Sequence, residues 1–246
     1  MEKNNEKQNK RRLGIVLIAL LLLLALGATV GFTLAKYVTE GKVESAQATV
    51  AKWGVTVTVN ADGLFGSKYK NGSIAATDDG IDVKATGEGN VVAPGTGGKL
   101  TLSVSGQPEV SAKLTMTLSS VETVFLYKDG AVYAPIKWKV GGEEVTVETQ
   151  SITTYEAYKA ALLSALQAKL VEKYPSKAWE AGSQISVENG DQLISWEWAF
   201  GDGSTDVNDT ILGNIKAGTE SGYDATTSNT TISIGFSAKV EQVQAQ

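Results

Sequence analysis

Neither cysteine nor histidine occurs in the 246 residues of this chain. Without cysteine no disulfide can stabilise the fold, so stability has to come from a packed core. Without histidine the chain cannot form a Ser-His-Asp triad, a histidine general base or a zinc site that needs imidazole. The adjacent carboxylates of Glu143 and Glu144 point to opposite faces of a strand, whereas an acid/base pair must converge on one substrate. We therefore expect a protein that is not an enzyme and has no cofactor.

Arginine is almost as scarce, since Arg11 and Arg12 are the only two. The chain has 22 basic and 27 acidic residues, and the first 35 residues hold five and two of these. The remainder, 36–246, therefore contains 17 lysines against 25 acidic residues, a net charge of −8. Nucleic-acid binding needs clustered positive charge, so we expect no nucleic-acid partner and no attraction to anionic lipid.

The first 35 residues form a separate region. A basic head is followed by 23 residues, Leu13 to Ala35, without an ionisable side chain. With the small residues of Thr33-Leu34-Ala35 at its end, this pattern is typical of a secretory signal with an apolar helix. We expect a signal peptidase to cut between Ala35 and Lys36. The alternative of a retained membrane anchor stays open, because about 20 apolar residues can span a bilayer.

Residues 36–246 are long enough for a single domain with a sizeable core. Short runs alternate apolar and polar residues between clusters of Gly, Asn, Asp and Ser, which predicts an antiparallel β-sandwich. Asp129-Gly130 and Gly141-Gly142 are expected to be hairpin turns. The clearest runs are 53–59, 100–104, 112–118, 194–200 and 232–240; weaker ones are 81–85, 122–128, 131–140, 143–149 and 184–188.

One segment has helical instead of alternating periodicity. It predicts an amphipathic helix at about 153–174 that covers the sheets, with Thr153 and Glu156 as its capping box. Pro175 is expected to end it. Its apolar face consists of Tyr158, Leu162, Ala165, Leu166 and Leu170.

Two features of the sequence suggest ligand binding. Oxygen-bearing side chains alternate in Asp202, Ser204, Asp206 and Asn208, which makes them weak calcium candidates. An EF-type loop needs Gly at its sixth position and Glu at its twelfth, where this chain has Val207 and Gly213, so a solvated turn is favoured. Trp196 and Trp198 share one strand face and, if exposed, would stack on sugars. Because Ile194 and Phe200 share that face, we expect both tryptophans in the core.

The chain resembles the TasA/camelysin-like secreted proteins, which carry a specialised signal peptide. The resemblance rests on "GFTLAKYVTEGKVESAQATVAKWGVTVTV" (31–59), "VVAPGTGGKLTLSVSGQPEVSAKLTMTL" (91–118) and "TTISIGFSAKVEQVQ" (230–244). The stretch "WEWAFGDGSTDVNDTILG" (196–213) is similar to one in uncharacterised members. None of the matching residues forms a catalytic signature. Camelysin is described as a metalloprotease, but this chain has no metalloprotease motif.

The resemblance implies a jelly-roll-like β-sandwich that is secreted and polymerises head to tail into extracellular-matrix or cell-surface fibres. Assembly in such relatives proceeds by strand donation, with further matrix subunits as additional partners. In this sequence the donor would be the segment after the cut, with Tyr37, Val38 and Val43 as its anchoring side chains. That segment is too polar to be a self-sufficient strand. A disordered tail and intramolecular pairing stay open, as does a monomeric adhesin or binding module, secreted or membrane-anchored.

Overall fold

A computed structural model describes residues 49–66, 68–69, 81–83, 90–188, 193–200 and 205–243. The chain divides after Lys52, and the unit Trp53–Gln246 contains all the strands and helices given below. Several predicted features lie outside the described residues: the signal segment with its cut site at Ala35 and Lys36, the donor residues Tyr37, Val38 and Val43, and the calcium candidates Asp202 and Ser204.

The described part of the chain is mostly antiparallel β-sheet with two helices, so the predicted all-β class is confirmed. The strands are β1 (Val55–Asn60), β2 (Lys68–Tyr69), β3 (Ile81–Asp82), β4 (Thr96–Gly106), β5 (Ala112–Glu122), β6 (Phe125–Lys128), β7 (Ala131–Tyr133), β8 (Ile136–Val140), β9 (Glu143–Glu144), β10 (Lys177–Trp179), β11 (Ile185–Glu188), β12 (Ile194–Trp198), β13 (Ser228–Asn229) and β14 (Ser233–Gln242). The helices are α1 (Tyr155–Lys173) and α2 (Asp206–Ala217).

Two sheets carry most of the core. The larger runs in the order β1-β4-β12-β8-β9, with β11 also paired to β4, and the smaller runs β10-β5-β14. A third sheet has the order β13-β6-β7, and β2 and β3 form a two-stranded pair. The alternation read from the sequence sets the buried faces: Leu100, Leu102 and Val104 of β4 are buried, as are Leu114 and Leu118 of β5.

The predicted helix forms α1 and packs against β5, β6 and β8. Its buried face is Tyr155, Tyr158, Leu162, Leu166 and Leu170. The predicted cap is wrong by one residue, because Thr154, not Thr153, has the extended backbone of an N-cap and accepts a hydrogen bond from Ala157 N at 3.3 Å. The helix ends before Pro175, since the residue preceding a proline is disfavoured in helical conformation.

Both predicted hairpin turns are confirmed. Asp129 and Gly130 have φ values of 52° and 79° between β6 and β7. Gly141 and Gly142 have φ values of 59° and 82° between β8 and β9. Positive φ at both central residues is the requirement of the turns that match strand twist.

Helix α2 is not predicted by the sequence, which favours a solvated turn around Asp206 and Asn208. The prediction of a single helix is therefore wrong for the described residues. The segment contains Asn, Thr and Gly, which are poor helix formers, and only Leu212 is fully buried. Asp206 and Asp209 in the first turn suit the helix dipole, and Gly218 ends the helix at φ 72°. In the described ranges, no helix has the length and apolarity needed to cross a membrane.

Candidate functional site

The first strand leaves its core face partly uncovered. Within the described residues β1 pairs only with β4, and Val57 and Val59 lie opposite Val104 and Leu102. Directly paired residues of an antiparallel ladder project to the same face. The two β4 side chains are 1% and 3% exposed, whereas Val57 and Val59 are 36% and 41% exposed. The valines therefore belong to the core face by register but have nothing packed fully over them.

The last strand shows the same feature in the smaller sheet. β14 pairs with β5 alone in the described part, and Phe236 and Val240 lie opposite the buried Leu118 and Leu114. No residue of β14 is fully buried, although Ile234, Phe236, Ala238 and Val240 all face the core side. The opposite face carries the exposed residues Ser237, Lys239 and Glu241. β14 is thus a second edge with an incompletely covered apolar face.

These two edges meet, and we call the space between β1 and β14 the seam. Cα atoms of the two strands approach within 8 Å. No ladder joins them in the described part of the chain, where β1 pairs with β4 and β14 with β5. Neighbouring strands of a sheet lie about 4.8 Å apart, so a strand bridging two edges needs a separation of about 10 Å. If the seam widened to this separation, it would have room for one added strand, which could pair with edges that carry no ladder among the described residues and cover their apolar side chains.

A bulge sets the regular length of the β14 edge. The register with β5 shifts between Gly235 and Phe236, so regular pairing runs over Phe236–Gln242. A Cβ at Gly235 would lie 2.5 Å from the hydroxyl oxygens of both Ser119 and Ser120, which explains the glycine. Bulges at sheet edges terminate pairing. The regular edge offered at the seam is therefore seven residues long.

The opposite side of the sheets is closed by α1. Gln167 Oε1 accepts a hydrogen bond from Leu118 N of β5 at 2.7 Å, which satisfies a strand amide from the helix. Lys169 and Lys173 both reach Glu143 of β9. The hydrogen bond from Lys173 is the largest cause, and the one from Lys169 the next, of a lowered pKa for the Glu143 carboxyl group. The helix thus links the two sheets on this side, which sets it apart from the seam.

A buried polar network fixes the start of α1. Tyr155 Oη donates to Glu122 and accepts from Thr123 N at 3.3 Å and Asn229 Nδ2 at 3.1 Å. Burial is the largest cause of the raised pKa of the Tyr155 hydroxyl, and the hydrogen bond to Glu122 is the next. Trp138 Nε1 donates to Thr123 Oγ1 at 3.1 Å. Every group named here has a partner within the fold, so the network is structural.

A groove of about 540 Å³ lies where β8 begins and β12 ends. Its wall includes Tyr133, Trp198 and Phe200, of which Phe200 is 58% exposed. Tyr133 Oη and Trp198 Nε1 both donate to Asp209 Oδ1 of α2, at 2.5 and 3.2 Å. The position of Phe200 corrects the expected strand 194–200: the strand ends at Trp198, and Phe200 leaves the core face.

The tryptophan pair has the expected position. Trp196 is fully buried and Trp198 is 7% exposed, so neither presents a stacking surface. Trp196 Nε1 donates to the carbonyl oxygen of Leu64 at 2.9 Å and its ring lies 5.8 Å from that of Phe65.

The described calcium candidates lie in a helix. Asp206 and Asn208 occupy the first turn of α2, and the backbone N–H of Asn208 bonds to Thr205 O at 2.9 Å. In the ranges that the structure describes, no three carboxylate side chains converge to hold a metal ion.

The seam was not recognisable from the sequence, because Val57, Val59 and Phe236 alternate with polar residues just as fully covered strands do. Only the pairing order shows that both strands lie at edges. A search of the chain against protein families, curated proteins and solved structures finds no match.

Proposed function

We propose that this protein is a secreted structural subunit that self-assembles into extracellular-matrix or cell-surface fibres by strand donation, on a jelly-roll-like sandwich. Cleavage after Ala35 would free the segment that begins at Lys36, and this segment would enter the seam of the next copy. The observation that supports the proposal most directly is the seam itself, where two strands that lie at sheet edges among the described residues both have half-covered apolar faces.

The energetics require side chains as well as backbone bonds. Each new backbone hydrogen bond contributes roughly 1 kcal/mol net, whereas ordering a residue costs about 1–2 kcal/mol. Ladder formation alone therefore does not favour donation. Burying apolar surface at about 25 cal/mol per Å² supplies the rest, and the exposed parts of Val57, Val59 and Phe236 are the surface available for it.

The contact has a direction, which accounts for fibres. The donor segment and the seam are different surfaces, so each copy gives to one neighbour and receives from another. Such heterologous contacts give open filaments when the rotation does not close. While the apolar N-terminal segment is attached, it tethers the donor to the membrane, so cleavage by a signal peptidase would start assembly.

Substitutions on the core face of β1 test the proposal. In the double variant Val57→Thr with Val59→Thr, the monomer should lose less than about 1 kcal/mol of unfolding free energy, because both side chains are already partly exposed. Fibre yield, measured by sedimentation, should fall at least several-fold because the added strand loses its apolar contacts.

The matched control changes the other face of the same strand, as Thr56→Ser with Thr58→Ser, and should assemble as the unchanged protein does. Equal fibre yield from the valine variant and this control would contradict a role for the seam.

The groove favours a second candidate, a monomeric adhesin or binding module. Phe200 and the charged side chains of Lys137 and Glu144 on its wall are the kinds of group that bind a small polar ligand. Sedimentation of the secreted form, with N-terminal sequencing, separates the two functions. A cleaved protein that stays monomeric at high concentration favours the binding module.

A further inference from the structure

This inference rests on the proposed function and assigns the acceptor edge and its register. We propose that the donated segment pairs in parallel with β14 of the next copy, with Tyr37 opposite Phe236, Glu40 opposite Lys239 and Lys42 opposite Glu241.

The edge of β14 is the better acceptor because of its length. β14 has ten residues, whereas β1 has six. The regular part of β14, Phe236–Gln242, is seven residues long, which equals the length of the segment Tyr37–Val43. β14 ends the three-stranded sheet as β1 ends the larger one, so both positions are accessible and the length of β14 decides. A strand added to β14 lies beside β1 at the seam and covers the open core-face valines of β1.

Charge complementarity selects the register. The exposed face of β14 reads Ser237, Lys239, Glu241, and Lys239 Nζ lies 2.6 Å from Glu241 Oε2. Alternate residues of the donor segment read Val38, Glu40, Lys42. Of the three anchoring side chains expected from the sequence, this register keeps Tyr37 and Val43 on the core side and places Val38 on the exposed side. In the parallel register the two charged positions of each strand face opposite charges, so the ion pair within β14 extends to four alternating charges. Opposite charges in directly paired positions stabilise a sheet, and like charges destabilise it.

In the same register, the donor side chains that face the core also fit the core-facing side chains of β14. Tyr37 comes beside Phe236, which provides an aromatic pair where β14 is only half covered. Thr39 comes beside Ala238, and Gly41 beside Val240. Because Gly41 has no side chain, it leaves space for Val240 and for the valines of β1.

The antiparallel direction with two ion pairs is less favourable. It places Lys42 opposite Glu241 and Glu44 opposite Lys239. The same register turns Gln47 towards Phe236 and Ser45 towards Ala238, so polar side chains would meet the apolar face of β14. Desolvating unpaired polar groups costs free energy, which favours the parallel direction.

Introduced cysteine pairs test the register, and no native thiol can form a competing disulfide because the chain contains no cysteine. The whole chain is expressed in a secreting host, and the secreted form is assembled, oxidised and run on a non-reducing gel. Ser237→Cys with Val38→Cys joins positions that are opposite each other in the parallel register. We expect a ladder of covalent multimers that collapses on reduction.

The matched control keeps Ser237→Cys and moves the donor cysteine to Ala46, which faces Ser237 in the antiparallel register. We expect fibres of the control to show at least ten-fold less covalent multimer. Multimers from the control and none from the first pair would overturn the parallel register while leaving strand donation in place. Absence of fibres from the protein without cysteines would overturn the proposed function, and this inference with it.

Charge reversal gives an independent readout. Lys239→Glu alone should lower fibre yield several-fold, because the acceptor then repels Glu40. Adding Glu40→Lys in the same chain should restore it. Rescue by Glu44→Lys in place of Glu40→Lys would overturn the register.

Discussion

At Gly98 the fold leaves no room for a side chain. A Cβ built there would lie 1.9 Å from Leu64 O and 2.6 Å from Trp196 Nε1, two atoms that are hydrogen-bonded to each other. Gly98→Ala should therefore lower the free energy of unfolding by more than about 2 kcal/mol, as overpacking at a buried site does. Denaturant unfolding measures this.

The control is Gly213→Ala on α2, where a Cβ meets nothing within 4 Å. Alanine is the better helix former, so stability should rise by up to about 1 kcal/mol. Equal effects of the two substitutions would contradict this account of the packing around Trp196.

Thr123 is a buried acceptor whose loss leaves a tryptophan without a partner. Its hydroxyl accepts from Trp138 Nε1, and the residue is 0% exposed. Thr123→Val keeps the shape but orphans the indole N–H, so unfolding free energy should fall by about 1–3 kcal/mol. An unchanged denaturation midpoint would show that another group satisfies Trp138.

Among the elements, the α1–β9 contact should make stability depend on pH. Lys173 and Lys169 hold the pKa of Glu143 below its ordinary value of 4.5. A lowered folded-state pKa stabilises the fold above the unfolded-state pKa, and the contribution is lost as pH falls through the folded-state value. Glu143→Gln should therefore destabilise the protein at neutral pH and weaken the decline in melting temperature below about pH 4.5.

Its control is the adjacent exposed Glu144→Gln on the same short strand. We expect that variant to keep the pH dependence of the unchanged protein. A Glu143→Gln protein whose melting curve follows the unchanged protein at every pH would contradict a stabilising ion cluster.

How far the sequence predicts these elements depends on how locally each is determined. Strong alternation predicted β1, β4, β5 and β14, and the turns at Asp129-Gly130 and Gly141-Gly142 followed from the conformational needs of tight hairpins. α1 was predictable because five turns of apolar periodicity end at Pro175. Thr153 and Thr154 are adjacent and chemically alike, so the cap could not be read to one residue.

Elements with weak local preference were missed. α2 depends on Leu212 packing and on the contact between Asp209 and Tyr133, 76 positions apart, which local pattern does not reveal. β10 pairs with β5 across a similar separation. The seam was also missed, because it too depends on contacts between residues far apart in the sequence. That Val57 and Val59 lie at an edge follows from sheet order, which alternation leaves undetermined.

At the scale of the whole molecule, the two sides of the sheets differ. α1 links them on one side through Gln167, Lys169 and Lys173. On the other side β1 and β14 approach each other with no ladder between them in the part of the chain that the structure describes, and their core faces stay half covered. If the proposed function is right, the cleaved form should stay monomeric only until donor segments fill the seams of neighbouring copies, so assembly should depend steeply on concentration.

Strand donation as proposed requires that residues 36–43 of one copy complete the seam of the next. Electron microscopy of the secreted protein tests it most directly, with Lys36–Val43 either kept, deleted, or replaced by eight Gly and Ser residues that preserve length. We expect filaments from the unchanged protein and dispersed particles from both variants. Filaments of unchanged width and abundance from either variant would contradict it.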